Sequence, residues 1–301
     1  MIIDMNTLHR FRVRILAAIL LAMPLAACGT SNPPTTINVV SSINTWGTIA
    51  SEIGGSAVHV TSLIADPNVD PHLFQSSVST ALAIARANVI IENGLGYDSF
   101  MGKLVAANGS SSQTVLVAAH IMGISGSTAN PHLWYDLEHV GTVASAITST
   151  FSRLLPGKAV YFASNDHAFT VALDADISSL HSLAATAHHA PIAYTERVAG
   201  YLLAEAGLEN LTPEGFALAI ENGIAPGIAD TTAMESLITS HRIRALVYND
   251  QTISPVTASI RALATANHIP VVPVSETMPQ NLSFPAWQMA TIQKLRSAIS
   301  P

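Results

Sequence analysis

Short apolar runs alternate with amphipathic stretches along this chain, and the alternation breaks once, between Asp136 and Thr186. The runs "TINVVSS" (Thr36–Ser42), "AVHVTSLI" (Ala57–Ile64), "NVIIEN" (Asn88–Asn93) and "QTVLVAA" (Gln113–Ala119) read as strands. Helical patterns lie between them: one holds Trp46, Ile49 and Ile53 and stops at Gly54-Gly55, and others cover Ser79–Ala87 and Tyr97–Ala107. Past the middle, "PIAYT" (Pro191–Thr195), "GFALAI" (Gly215–Ile220), "IRALVYN" (Ile243–Asn249) and "IPVVPVS" (Ile269–Ser275) restore the strand rhythm. An amphipathic stretch from Phe284 to Ile299 ends the chain. Strands that alternate with helices must run mostly parallel, because each crossover lays a helix on a sheet face. The middle stretch is helical and broken only at "LLPGK", Leu154–Lys158. Its second half, from Pro156 to Thr186, predicts a helix of roughly 45 Å at 1.5 Å per residue. The expected fold is α/β, with two lobes, each a mostly parallel four-stranded sheet flanked by helices, joined by one long rigid helix.

The ends carry processing information. Arg10, Arg12 and Arg14 precede the apolar run Ile15–Ala26, which is too short to span a bilayer and has the layout of an export signal. "LAAC", Leu25–Cys28, resembles a bacterial lipobox, which implies cleavage before Cys28 and lipidation of its sulfur. Cys28 is the only cysteine, so disulfide scaffolds and thiolate metal sites are excluded. "GTSNPPTT", Gly29–Thr36, reads as a flexible tether. The expected organisation is a signal peptide at 1–27, the lipidated cysteine and tether at 28–36, one lobe at 37–155, a linking helix at 156–187 and a second lobe at 188–301. With 49% hydrophobic and 11% charged residues the chain can bury a large core and is not a disordered one. A net charge of −7 with no Lys/Arg cluster argues against nucleic acid as a partner.

Two loops repeat Pro-His-Leu: "ADPNVDPHLFQSS" around His72 and "TANPHLWYDL" around His132. Proline stiffens each loop and holds the residue before it extended, so each imidazole is presented from a fixed backbone. His72 follows the strand Ala57–Ile64, and His132 follows the strand Gln113–Ala119. In the second half, Glu196 directly follows Pro191–Thr195 and Glu276 directly follows the last strand. Ligands of open α/β sheets bind beyond the carboxyl ends of the strands. Two imidazoles and two carboxylates meeting there form a suitable coordination shell for a divalent transition metal. Glu92, Asp98 and Asp250 also lie near strand ends and are alternatives to Glu276. His59, His120, His139, His167, His181, His188 and His189 match no motif and read as surface or structural residues.

The chain resembles the substrate-binding lipoproteins of manganese and zinc ABC importers over nearly its whole mature length. "NVDPHLFQSSVSTALAIARANVIIENGLGYDSFM" is similar to the family's first-ligand motif with its following Asn-Gly-Leu-Gly turn, and "NPHLWYDLEHV" to its second-ligand motif. "YTERVAGYLLAEAGL" and "VSETMP" lie where that family carries its third and fourth ligands. The resemblance implies that His72, His132, Glu196 and Glu276 bind Mn2+ or Zn2+. It also implies a monomeric, lipid-anchored extracytoplasmic protein that hands the ion to an ABC permease in the cytoplasmic membrane. Three departures stand out. Asn130 replaces the usual aspartate before the second Pro-His, without losing a ligand. Glu276 is one methylene longer than the usual aspartate. No histidine- and acid-rich loop lies between Ala119 and His132, which tilts the expectation towards manganese. Two competing readings are a secreted metallohydrolase and a binding protein for a chelated metal or a small organic solute. The first is weakened because neither H-E-x-x-H nor G-x-S-x-G is present.

Overall fold

The computed structural model describes residues 36–66 and 74–300. His72, Cys28, the leader and most of the tether lie outside the described residues. The first sheet contains β1 (Ile37–Ile43), β2 (Val58–Ile64), β3 (Val89–Glu92) and β4 (Thr114–Val117), all parallel, in the order β2-β1-β3-β4. Its helices are α1 (Asn44–Gly54), α2 (Val78–Arg86), α3 (Ser99–Asn108) and the single turn α4 (Ala118–Ile121). Two helices follow, α5 (Leu137–Leu154) and α6 (Ala159–Ala187). The second sheet, β5 (Pro191–Tyr194), β6 (Glu209–Asn210), β7 (Ala245–Asn249) and β8 (Val271–Val274), is parallel too, in the order β6-β5-β7-β8. Around it lie α7 (Gly200–Glu205), α8 (Glu214–Glu221), α9 (Ile228–Thr239), α10 (Pro255–Ala266) and α11 (Phe284–Ile299).

Local chemistry explains these elements. In β1 every residue but Asn38 is buried, as expected for an inner strand covered on both faces. Ser77 and Ser254 open α2 and α10 with the same capping box, each accepting from the backbone N–H three residues on. Pro156 ends the α5 direction in a tight 3-10 turn, and Phe151 and Phe162 close the corner with ring centroids 5.5 Å apart. The 29 residues of α6 make a rod of about 44 Å. Its buried stripe of Phe162, Phe169, Leu173, Leu180 and Leu183 packs against α1, α5 and α11. The rod ends at His188 and His189, both in left-handed backbone.

One expected strand is a helix. "GFALAI" lies within α8, where Phe216, Ala217, Ala219 and Ile220 are buried with the three- and four-residue spacing of one helical face. Pro213 holds the N-cap position and Glu214 the first turn, an arrangement that starts a helix. The fourth strand is instead the two-residue β6, exposed and polar, with no apolar run to mark it. The end of "QTVLVAA" likewise leaves the sheet, since Ala118 and Ala119 begin α4.

The two sheets share one body. The largest hydrophobic cluster runs from Ile37 and Trp46 through Phe169 and Leu180 to Phe284 and Ile299. Asn44 both donates to the Met278 carbonyl and accepts from the Met278 N–H, each at 2.9 Å. Phe284 N donates to Glu52 Oε1 at 2.7 Å, and Tyr135 Oη donates to the Ser275 carbonyl at 2.9 Å. The carboxyl ends of both sheets are thereby held towards the same cleft.

Candidate metal centre

His132 reaches the cleft on a loop held from below. Asn93, just past β3, accepts from Trp46 Nε1 at 3.0 Å and donates to the Pro131 carbonyl at 2.8 Å. The turn that follows passes through three left-handed residues, Gly94, Leu95 and Gly96. A Cβ on Gly94 would come within 3.0 Å of Ala119 and Val117, so glycine is required there by both conformation and space. Asp98 closes the turn by accepting from the Asn93 and Gly94 N–H groups. The fully buried His132 ring points Nδ1 at Asn130 Oδ1, 2.7 Å away. An amide oxygen only accepts, so Nδ1 carries the proton and Nε2 keeps its lone pair. Among the described residues that Nε2 has no hydrogen-bond partner, and Glu276 Oε2 lies 3.7 Å from it. Asn130 also ties the lobes together: its Nδ2 donates to the Arg197 carbonyl at 2.7 Å, and its own carbonyl accepts from Tyr201 Oη at 2.9 Å. Gly200 makes room for it, since a Cβ there would lie 2.8 Å from Asn130 Nδ2.

The carboxylates come from the second sheet at its switch point, where β5 and β7 are neighbours although β6 intervenes in sequence. Glu196 follows β5, Asn249 ends β7 and Glu276 follows β8. Asn249 Nδ2 lies 2.7 Å from Glu196 Oε2 and 3.0 Å from Glu276 Oε1, so one amide serves two buried carboxylates. Tyr97 Oη donates to Glu276 Oε2 at 2.9 Å from the other lobe. Gln251 Oε1 accepts from the backbone N–H groups of Glu276 and Thr277, fixing that turn. Burial pushes the Glu196 carboxyl up to about 7, and the charge of Glu276 adds to the effect, against the lowering influence of Asn249 and His132. Its Oε1 is buried with no hydrogen-bond partner among the described residues. Trp134 walls the site, edge-on to His132 at 5.6 Å and to Tyr97 at 5.1 Å.

The structure therefore brings together His132, Glu196 and Glu276; as a trio their ligand atoms do not close to within 4.8 Å of one another. The three alternatives to Glu276 have other surroundings. Asp98 holds the Gly94 turn, Glu92 is raised by burial beside Asp98, and Asp250 is raised by burial beside Arg261 and Lys294. Asn130 does more than stand aside from the ligand set, because it orients the imidazole. Sequence reasoning missed Asn249, Gln251 and Tyr97 as site residues. The end of β7 is a strand-end position like the others, but a neutral amide such as Asn249 carries no ligand signal beside the charged Asp250.

A family model described as zinc-uptake complex component A, periplasmic (ZnuA), matches residues 39–298. The manganese-binding lipoprotein MntA of Bacillus subtilis is 29% identical over 165 residues, 51% of this chain and 54% of that protein. The zinc-binding protein TroA of Treponema pallidum is 27% identical over 141 residues, 45% of this chain and 46% of that one. These alignments span about half the length of the curated relatives. A solved structure of the periplasmic zinc-binding protein TroA superposes with a TM-score of 0.74 at 19% identity, covering 88% of this chain and all of that one, a likeness of fold.

Proposed function

The chain belongs to the periplasmic zinc-uptake component A family, and from that membership we propose that it captures Mn2+ or Zn2+ in its cleft and delivers the ion to an ABC permease. The family is one of substrate-binding proteins rather than enzymes. The ligands in this reading are His72, His132, Glu196 and Glu276. The lobes are 37–155 and 188–301, with 156–187 linking them, and a lipid on Cys28 anchors an extracytoplasmic monomer.

One observation carries the reading. Buried Nε2 of His132 and Oε1 of Glu196, from opposite lobes, both lack hydrogen-bond partners among the described residues. A buried acceptor without a partner costs about 1–3 kcal/mol, more when charged, and a cation removes that cost for both at once. Charge selects the class of ion. Two carboxylates with a neutral imidazole are balanced by a divalent cation. Imidazole nitrogen beside carboxylate oxygen suits first-row transition metals better than Mg2+ or Ca2+. A solute-sized ligand is not favoured: the open space of about 760 Å³ beside the site is lined by Tyr97, Pro131, Tyr194 and Arg197 but by none of His132, Glu196 and Glu276.

Titration of the chelator-stripped protein with Mn2+ and Zn2+ tests the proposal. One tight equivalent is expected, lost in His132→Ala and weakened in the nearly isosteric Glu196→Gln. Absence of stoichiometric binding, or binding unchanged in both variants, would overturn it.

A further inference from the structure

A second group of ligand-type side chains converges away from the cleft. Glu138 lies in the first turn of α5, the helix that carries the chain out of the His132 loop. Glu205 ends α7, the helix after Glu196, and His181 lies on the facing side of α6. His181 Nε2 is 3.1 Å from Glu138 Oε1 and 3.2 Å from Glu205 Oε1. One ligand atom from each of the three residues falls within 4.8 Å of the others, and this is the one such group of His, Asp and Glu among the described residues.

One hydrogen bond from His181 serves only one of the two acceptors at a time. An imidazole Nε2 carries at most one proton, and here it sits between two acceptors. The carboxylates also face each other. Glu205 is pushed up to about 7, by burial first and then by its hydrogen bond and charge interaction with Glu138, with His181 opposing. The three ligand atoms thus converge on one point that a cation can occupy. The charged neighbours are His139 and Asp136 at the start of α5: His139 Nδ1 lies 2.8 Å from Asp136 Oδ1, which raises its pKa, and Glu138 and Glu205 raise it further.

We propose that Glu138, His181 and Glu205 form an accessory site for a divalent transition metal such as Zn2+. One imidazole nitrogen and two carboxylate oxygens supply three ligands, and water completes the shell, because the Glu138 and His181 side chains are about half exposed, 47% and 57%. With fewer ligands and open access to solvent, it holds its ion more weakly than a closed four-ligand site. The ion ties α5, α6 and α7 into one knot. Two of these helices lead directly out of the loops bearing His132 and Glu196, so the knot restrains the cleft from behind. No local motif announces the site, because its ligands come from three helices.

The test uses the full chain with the cleft disabled by His132→Ala, and Zn2+ as the probe. Calorimetric titration is expected to find one equivalent of Zn2+, weaker than the tight equivalent of the unmodified protein, with an upward shift in Tm. Adding His181→Ala or Glu205→Gln is expected to remove both the equivalent and the shift, with far-UV circular dichroism unchanged. In the unmodified background His181→Ala is expected to leave the tight equivalent and remove the weaker one. Absence of Zn2+ binding in the His132→Ala protein, or binding that survives both added substitutions, would overturn the site. Failure of the tight equivalent alone would count against the cleft reading and leave this one standing.

Discussion

Asn249 offers both its amide hydrogens to two carboxylates that are almost fully buried. Its Nδ2 lies within 3.0 Å of both Glu196 and Glu276, and the Thr252 hydroxyl oxygen lies 3.1 Å away. Removing it leaves the carboxylates to repel each other and to rotate. Asn249→Ala is therefore expected to weaken metal binding about 10–100-fold, the usual cost of losing a group that orients ligands, which competition titration with a chelator measures. Proton release gives a second check. The Glu196 carboxyl sits at about 7 in the metal-free protein against an ordinary 4.5, so near neutrality much of it is protonated. Its raised value favours the metal-free fold fully below 4.5, and that contribution is lost as pH rises through about 7. Metal needs the ionised form. Apparent affinity is thus expected to fall as pH drops through about 7, with protons released on binding. Calorimetry in buffers of different ionisation enthalpy reads that release, and an enthalpy independent of buffer would contradict it. The convergence of His132, Glu196 and Glu276 on one cleft was legible because a charged or imidazole side chain past a strand end stands out. Asn249 and Asn130 were not, because a neutral amide looks the same whether it caps a turn or steers a ligand.

Elements were legible where their apolar period was unambiguous. The rod α6 follows from a long helical pattern and a proline break, and β1, β3, β5 and β7 from short apolar runs. Six residues such as "GFALAI" fit either period, and only the capping context of Pro213 and Glu214 separates the outcomes. The two-residue β6 has no period to read. The rod itself contains an element-scale weakness. Asp176 is buried in α6, its Oδ2 has no hydrogen-bond partner among the described residues, and burial pushes its carboxyl up to about 7 from 3.8. The raised value means that protonation favours the fold: the contribution is complete below 3.8 and disappears as pH rises through about 7. Asp176→Asn is expected to stabilise the protein by roughly 2–4 kcal/mol at alkaline pH, at 1.36 kcal/mol per pKa unit, and to change little in acid. Thermal melts at both ends of that range check it; equal effects at both would show that charge is not the cause.

At the scale of the molecule, two lobes read from the sequence suggest two folding units, but the contacts join them. Residues of both sheets and of the helices α1, α5, α6 and α11 join in one large core, while each half also keeps a smaller cluster of its own. Polar ties cross the divide near the chain's ends as well as at the cleft: Asn44 with Met278, Glu52 with the start of α11, Gln288 Nε2 with the Trp134 carbonyl at 3.2 Å, and Asn130 with Arg197 and Tyr201. These partners lie 67 to 234 residues apart in sequence, so each tie joins one half of the chain to the other. A body built this way has little freedom to open by hinge motion, and its stability cannot be divided between halves. Urea unfolding of the metal-free protein is therefore expected to give one transition, coincident by far-UV circular dichroism and by fluorescence of Trp46, Trp134 and Trp287, which report on both ends of the chain. Metal should move the whole transition to higher urea without splitting it, as an ion bound only to the native state does. Asn44→Ala should lower the midpoint and keep the transition single. Two resolved transitions in the unmodified protein would show that the lobes fold as separate units and that the shared core does not couple them.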